Sequence, residues 1–325
     1  MLKVLYLPLN TPEGTQSGMC DAWNNVGVEL HIFDFYMKFL AHRDSSSVRR
    51  EFIQVVQAVQ PDLVHMQLQF TGVIDYETLR QAKLSCPKTI FVNWSGDLRK
   101  NVPTEFVSLS SAIDYSLVSN VGQIELYRAA GCHNCRYWQI GYDPKICFPQ
   151  ELPLTYDVTF TGNMYQFDTF PDVRLRLEAA KAIKNKYGAR AGVFGNGYPS
   201  SMGRIHGIKG AEVNNAYCAS HTVLSISNFN DVSYYFSDRL LACLASGRPT
   251  ICYRFPGVES YFTHNSDLIV VNSIAEIISA VDFCVKNPQL AKEIGRNGYL
   301  KVKAEHTHTS RVLELLRMLN LIHRL

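Results

Sequence analysis

The sequence offers little that ties it to a membrane, a metal or a disulfide framework. No apolar run approaches the length of a membrane span, so integral insertion is not expected. The opening MLKVLYLPLN has one Lys and then strand-like alternation, without the apolar region and small-residue cleavage site of a signal peptide. The charge balance is nearly even. The 32 Lys and Arg against 29 Asp and Glu leave a net charge of +3, too small by itself to argue for nucleic acid. The nine cysteines are odd in number and scattered, which points to reduced thiols in a cytoplasmic setting. Cys132-His133-Asn134-Cys135 holds the one close pair, and no second pair supplies the other ligands zinc needs. Two unlinked thiols at a strand start is the plainer reading.

What is present is a folded α/β chain. A length of 325 residues with 46% apolar and 19% charged residues buries a large core and suits two domains better than one. Residues 2–9 and 28–36 read as strands, with a Thr/Gly/Ser/Pro loop from Asn10 to Gly18 and a short helix from Met19 to Asn25 between them. Ser45 to Gln60 has helical spacing and stops at Pro61. Leu63–Met66, Thr89–Val92, Tyr115–Val118 and Arg136–Ile140 are further strands, with helices near 75–85 and 123–130. Strands alternating with helices imply a parallel sheet covered on both faces.

Ligands bind such sheets at the carboxyl ends of the strands. Two ends here are polar. His65 and Gln67 close one, Asp97 and Arg99 the other. A carboxylate after Trp94-Ser95-Gly96 suits a general base for a hydroxyl, and His65 is the rival because imidazole titrates near neutrality. Each has a bland alternative: His65 as a core histidine and Asp97 as a turn cap.

Asp143 to Tyr156 carries three prolines and no apolar period, as an interdomain linker does. The strand–helix alternation then restarts: strand 158–160 into Gly162-Asn163, helix 174–187, strand 190–194 into Gly195-Asn196-Gly197, helix 211–220 and strand 222–226. Gly195-Asn196-Gly197 lacks a third glycine, so a plain turn fits it better than a dinucleotide loop. From Ser233 to Phe262 come a polar turn, a helix capped by Ser237 or Asp238, a strand at 250–253 and a Pro-Gly turn into another helix start. Arg239 falls in the first turn of that helix, where the helix dipole disfavours a cation. An Arg beside free N–H groups suits a phosphate; a surface Arg paired with Asp238 or another carboxylate is the bland alternative. Ser273 with Glu276 is a capping-box signal, Asn287-Pro288 starts a further helix, and Arg311 to Ile322 is an amphipathic end helix.

At this point a resemblance adds to the reading. Asp157-Val158-Thr159-Phe160-Thr161-Gly162-Asn163, Ser237 to Gly247, Phe255 to Phe262 and His306 to Arg311 resemble the GT-B glycosyltransferases, specifically the CgeB-like branch with a "glycosyl transferases group 1" carboxyl-terminal domain. Trp94-Ser95-Gly96-Asp97 and Gly141-Tyr142-Asp143-Pro144 agree more loosely. The resemblance implies two Rossmann-like doubly wound domains facing a cleft: an acceptor-side domain over residues 1–145, a nucleotide-sugar-binding domain over 146–308, and a carboxyl-terminal helix over 309–325 packing back. It implies sugar transfer from a nucleotide-sugar donor to an acceptor hydroxyl. Arg239 then meets the donor diphosphate. Gly162 and Asn163 let the backbone approach it, Glu259 approaches sugar or ribose hydroxyls, and Arg204 and Lys209 neutralise the leaving group. Arg204 and Lys209 read equally well as solvated loop charge, and Glu259 as a favourable acid at a helix start.

The chain departs from the wider superfamily at two places. Ala242 and Tyr234 stand where a Glu is usual, one of which normally contacts ribose. No Asp-x-Asp sits at a strand end, so no metal or other cofactor is expected, and basic side chains take the place of Mg²⁺. A non-catalytic nucleotide-sugar-binding or scaffold protein and a sugar-nucleotide epimerase are the alternative functions. A glycan, a protein, a small molecule and a modified DNA base all stay open as acceptors, and no compact basic-aromatic cluster points to nucleic acid.

Overall fold

The alternation of strand and helix patterns resolves into two parallel sheets. A computed structural model describes residues 1–12, 14–69 and 71–325, so Glu13 in the first loop lies outside the described residues. The chain divides into two units: Met1–Ile140 with His308–Leu325, and Gly141–Thr307.

In the first unit the order is β1 (Lys3–Leu7), α1 (Ser17–Asn25), β2 (Glu29–Ile32), α2 (Phe35–His42), α3 (Ser45–Val59) and β3 (Leu63–Met66). It continues with α4 (Tyr76–Ser85), β4 (Ile90–Ser95), α5 (Thr104–Ser110), β5 (Tyr115–Val118), α6 (Ile124–Ala129) and β6 (Cys135–Tyr137). The sheet runs β2-β1-β3-β4-β5-β6, with all pairs parallel. β3 is buried throughout, as a central parallel strand covered on both faces must be. In α3, Val48, Phe52 and Val56 lie one turn apart and face the core, while Asp44 caps the start by accepting the Ser46 N–H at 2.9 Å. The sequence pattern for β2 runs too long. Asp34 caps a new helix by accepting the Met37 N–H, which turns residues 35–42 into α2.

The second unit has β7 (Tyr156–Thr161), α7 (Val173–Tyr187), β8 (Ala191–Phe194), α8 (Ala211–Cys218), β9 (Ser220–Ser225) and α9 (Asp238–Ala245). Then come β10 (Thr250–Tyr253), β11 (Ile269–Val271), α10 (Ile274–Lys286) and α11 (Pro288–Glu305). Its sheet order is β11-β10-β9-β7-β8, again parallel. The winding reverses between β7 and β9, and the loops leaving their carboxyl ends diverge there, which is where doubly wound sheets bind ligands. Residues 143–155 form no helix or strand before β7, and the unit boundary precedes them at Ile140/Gly141. At Ser273 the cap half of the box forms, its hydroxyl accepting the Glu276 N–H at 3.2 Å, while Glu276 reaches one residue further back and accepts the Asn272 N–H at 2.8 Å.

The final helix, α12 (His308–Met318), belongs to the first unit. Val312, Leu315 and Leu316 are fully buried in the core that also holds Met19 and Trp23 of α1. Burying each contributes about 2 kcal/mol. The Trp138 indole donates to the Arg311 carbonyl at 3.0 Å, and the Arg311 Nε donates to the Ile140 carbonyl at 3.0 Å. These bonds fix the returning helix. All nine cysteines are free thiols. Burial pushes the Cys135 thiol up to about 12, so the Cys132/Cys135 pair is unreactive at neutral pH. Among the described residues no helix is long and apolar enough to cross a membrane.

Candidate active site

A cavity of about 380 Å³ opens at the carboxyl ends of β7 and β8 in the second unit. Thr161, Gly162 and Asn163 line one side, Gly195 and Asn196 another, and Gly207, Ile208 and Lys209 a third. Asp238, Arg239 and Ala242 of α9 close it, with Val213 and Tyr217 of α8 beneath. The strand-end loops are tied together. Asn163 Oδ1 accepts the Asn196 N–H at 2.9 Å, and the Met164 N–H donates to the Asn196 carbonyl at 2.8 Å. The Tyr198 hydroxyl donates to the Gly162 carbonyl at 3.0 Å. The Thr161 and Tyr217 hydroxyls are hydrogen-bonded.

Gly162 has a φ of +153°, and a Cβ there would run into the Arg176 guanidinium and come within 3.2 Å of Arg239 Nη2. Glycine is therefore required both by the backbone conformation and by the space. Two cations crowd this one turn.

Arg239 sits in the first turn of α9, as the sequence pattern predicts. The cap differs from expectation. Ser237 occupies the N-cap position in extended backbone, yet its hydroxyl makes no cap bond. Asp238 accepts the Arg239 backbone N–H at 2.9 Å instead. The Arg239 Nη1 donates to the Ile226 carbonyl at 3.2 Å, and among the described residues its guanidinium forms no ion pair. The bland reading, a surface pair with Asp238 or another carboxylate, is not what forms among the described residues.

Arg176 was not singled out by its sequence pattern, which reads as one more polar residue of α7. It is 1% exposed. Nη1 donates to Asn228 Oδ1, the guanidinium lies 5.6 Å over the Phe160 ring, and Nε and Nη2 have no partner among the described residues. Burial first, and then the neighbouring Arg239, lower its pKa to about 9, which still leaves it charged at neutral pH. Gly195 and Asn196 also line the cavity, although the sequence favoured a plain turn for them. The signal was present as Gly-Asn-Gly directly after a strand.

The cavity thus brings together Gly162, Asn163, Lys209 and Arg239, and leaves out two residues expected with them. Arg204 is exposed on the loop before Gly207 and does not line it. Glu259 lies in a single 3₁₀ turn, not at a longer helix start, and its exposed carboxylate pairs with Arg254. Its own backbone N–H and then Arg254 hold that carboxyl below the usual range. Ala242, where a Glu is usual in the superfamily, lies on the cavity wall, so the missing carboxylate is missing from the site itself.

Two expected catalytic residues lie in the first unit and fare differently. Asp97 follows β4 with its side chain 66% exposed, 3.4 Å from Arg99. His65 is a core residue. It is 1% exposed, stacks on Tyr6 with ring centroids 5.1 Å apart, and meets Trp23 and Trp138 edge-on. Burial lowers its pKa to about 3, so it stays neutral. Enclosed by these rings, it has no path to an acceptor hydroxyl, and the rival base is set aside on that ground.

Comparison with known proteins bears on the fold. The profile of a family described as glycosyl transferase-like matches residues 174–317. No curated protein matches the chain in sequence. Among solved structures, Anabaena HepE in complex with UDP-glucose superposes with a TM-score of 0.67 at 11% identity, covering 98% of this chain and 100% of that one. A glycosyltransferase from Rickettsia africae gives 0.62 at 13% identity, covering 99% and 98%. Sucrose-phosphate synthase from Thermosynechococcus elongatus gives 0.56 at 13% identity, covering 87% and 80%. The chain has the GT-B glycosyltransferase fold, and the glycosyl transferase-like profile matches less than half of it, running from α7 of the second unit into α12 of the first.

Proposed function

We propose that this GT-B protein is a glycosyltransferase that takes a sugar from a nucleotide-sugar donor and passes it to an acceptor hydroxyl. The observation that carries the reading is the cavity at the strand ends of the second unit, where Arg239 and Lys209 converge on glycine turns. A diphosphate leaving group gathers negative charge as the glycosidic bond breaks. Preplaced cations and backbone N–H groups stabilise it without reorganising. Arg239 provides a charge in the first turn of α9, beside N–H groups that favour an anion. Lys209 adds a second charge from the loop before α8. This supports a metal-independent mechanism in which side chains neutralise the leaving group.

HepE was solved with UDP-glucose and with UDP, which makes uridine nucleotides the first donors to test. Ala242 removes one carboxylate from the wall, but Asp238 lies one turn earlier on the same helix face and also lines the cavity. Asp238 takes the ribose hydroxyls in this reading. Asp97, at the end of β4, accepts the proton of the acceptor hydroxyl. The nine free thiols fit a reducing, cytoplasmic setting.

The test is a thermal-shift panel of nucleoside diphosphates and nucleotide sugars, followed by release of nucleoside diphosphate from the best donor. A ligand at a hundred times its Kd stabilises the native state by about 2.7 kcal/mol, or about 5–10 °C for a unit of this size. A panel without a shift refutes the donor site. A shift without sugar release leaves a binding protein.

A further inference from the structure

The feature of the second unit least explained by folding is Arg176. Its guanidinium is out of water, with one side-chain partner, Asn228, and two nitrogens unsatisfied among the described residues. A buried cation without a carboxylate is costly, and a linear apolar side chain would fill the same space without that cost. Asp172, the N-cap residue of α7 one turn earlier, feels the Arg176 charge but forms no ion pair with it among the described residues. Asp172 Oδ2 accepts from the Asn230 N–H at 2.7 Å and from Asn230 Nδ2 at 3.0 Å. The other groups around Arg176 are the hydroxyls of Tyr165, Tyr198 and Tyr235 and a second cation, Arg239.

The two guanidiniums press on one glycine. Arg176 lies where a Gly162 side chain would go, and Arg239 Nη2 stands 3.2 Å from the same point. Gly162 lines the anion cavity and Arg176 does not. In the empty protein the like charges repel each other in a medium that screens them poorly. An anion above Gly162 would turn that repulsion into attraction.

We propose that Arg176 is a positioning residue of the donor site: a buried positive charge beneath the Gly162 turn that sets Arg239 toward the cavity and adds attraction for a diphosphate without touching it. The proposal rests on the donor reading above and deepens it. It carries an unusual signature. A residue that merely props the fold loses stability when replaced. Arg176 costs the empty protein stability and returns it when the anion binds, so stability and affinity move in opposite directions on substitution.

The experiment uses the full chain with inorganic pyrophosphate as probe, which omits base, ribose and sugar. Calorimetric affinity and the melting temperature without ligand are measured for wild type, Arg176→Met, Arg176→Lys and Arg239→Ala. The expected result is an Arg176→Met protein that melts at or above wild type and binds pyrophosphate at least tenfold more weakly, with Arg176→Lys recovering part of the affinity. Affinity for Arg176→Met within twofold of wild type overturns the proposal, and so does a fall in melting temperature with no recovery by Lys. If Arg239→Ala weakens binding and Arg176→Met does not, the Arg176 role fails and the donor site stands. If neither weakens it, the anion site fails, and the Arg176 role with it.

Discussion

Replacing Arg239 by Ala is the most direct perturbation of the donor site. The side chain is half-buried, lines the cavity, and is held by one bond from Nη1 to the Ile226 carbonyl. Its other guanidinium nitrogens are available to a ligand. A hydrogen bond to a charged group is worth about 1.5–3 kcal/mol net. At 1.4 kcal/mol per tenfold, the variant binds a nucleoside diphosphate about 10–150-fold more weakly. Two effects modify this figure. The position is partly solvated, so salt screens it and the loss shrinks as ionic strength rises. Removing Arg239 also relieves its repulsion with Arg176, which stabilises the empty variant and so adds to the loss of affinity. The assay is calorimetry with a nucleoside diphosphate and with the matching unphosphorylated nucleoside at two salt concentrations. The diphosphate should lose affinity and the nucleoside should not. Equal losses for both would mean a collapsed cavity, and no loss with the fold intact refutes a diphosphate contact at Arg239.

Asp97→Asn should abolish sugar transfer while donor binding is unchanged, because Asp97 lies outside the donor unit; near-normal turnover removes it as the base. His65 gives a stability effect and no catalytic one. Its folded pKa of about 3 lies below the unfolded value near 6.5, so the unfolded state binds the extra proton between them. Stability is complete above the unfolded pKa and falls by about 1.4 kcal/mol per pH unit as pH drops toward the folded one. Denaturant titrations at pH 7 and pH 5 should show that loss in wild type and not in His65→Gln. Gly162→Ala should lower stability by about 1–3 kcal/mol from its positive φ alone and weaken nucleotide binding with it, since its Cβ displaces Arg176. Binding that survives at full strength would separate the turn from the site.

Much of the architecture is legible in the sequence because parallel strands and their covering helices are written in local periodicity. The α3 stripe of Val48, Phe52 and Val56, the short buried run of β3 and the Ser273–Glu276 box each lie within a short stretch of the chain. The site is less legible because it is assembled from strand ends far apart in the chain. Arg239 is readable, since a cation in a first helical turn opposes the helix dipole. Arg176 is not, because nothing in Val-Arg-Leu-Arg-Leu-Glu says which Arg turns inward; only the crossing of α7 over β7 decides it. Arg204 and Lys209 look alike as loop cations, and the path of that loop puts Lys209 on the cavity and Arg204 outside it. His65 reads as a polar strand end, but its alternation with Val64 and Met66 places it among the aromatic rings of the core.

Local cost alone does not separate a site from a core, and His65 and Arg176 show what does. Both are buried with unsatisfied nitrogens among the described residues. His65 meets its cost by losing its charge, and its ring contacts with Tyr6, Trp23 and Trp138 replace water with aromatic surface. No cavity is needed to complete that arrangement. Arg176 stays charged at neutral pH, and unusual features gather beside it. Gly162 holds a positive φ, Ser237 leaves α9 without a side-chain cap bond, and Arg239 points a second cation at the same turn. Each has a cheaper replacement elsewhere in sequence space: a side chain with negative φ, a bonded cap, an acid in the first turn. Their convergence around one 380 Å³ cavity leaves an excess of positive charge that the described residues do not neutralise. A diphosphate there would offset both cations and accept from the uncapped N–H groups of α9 at once.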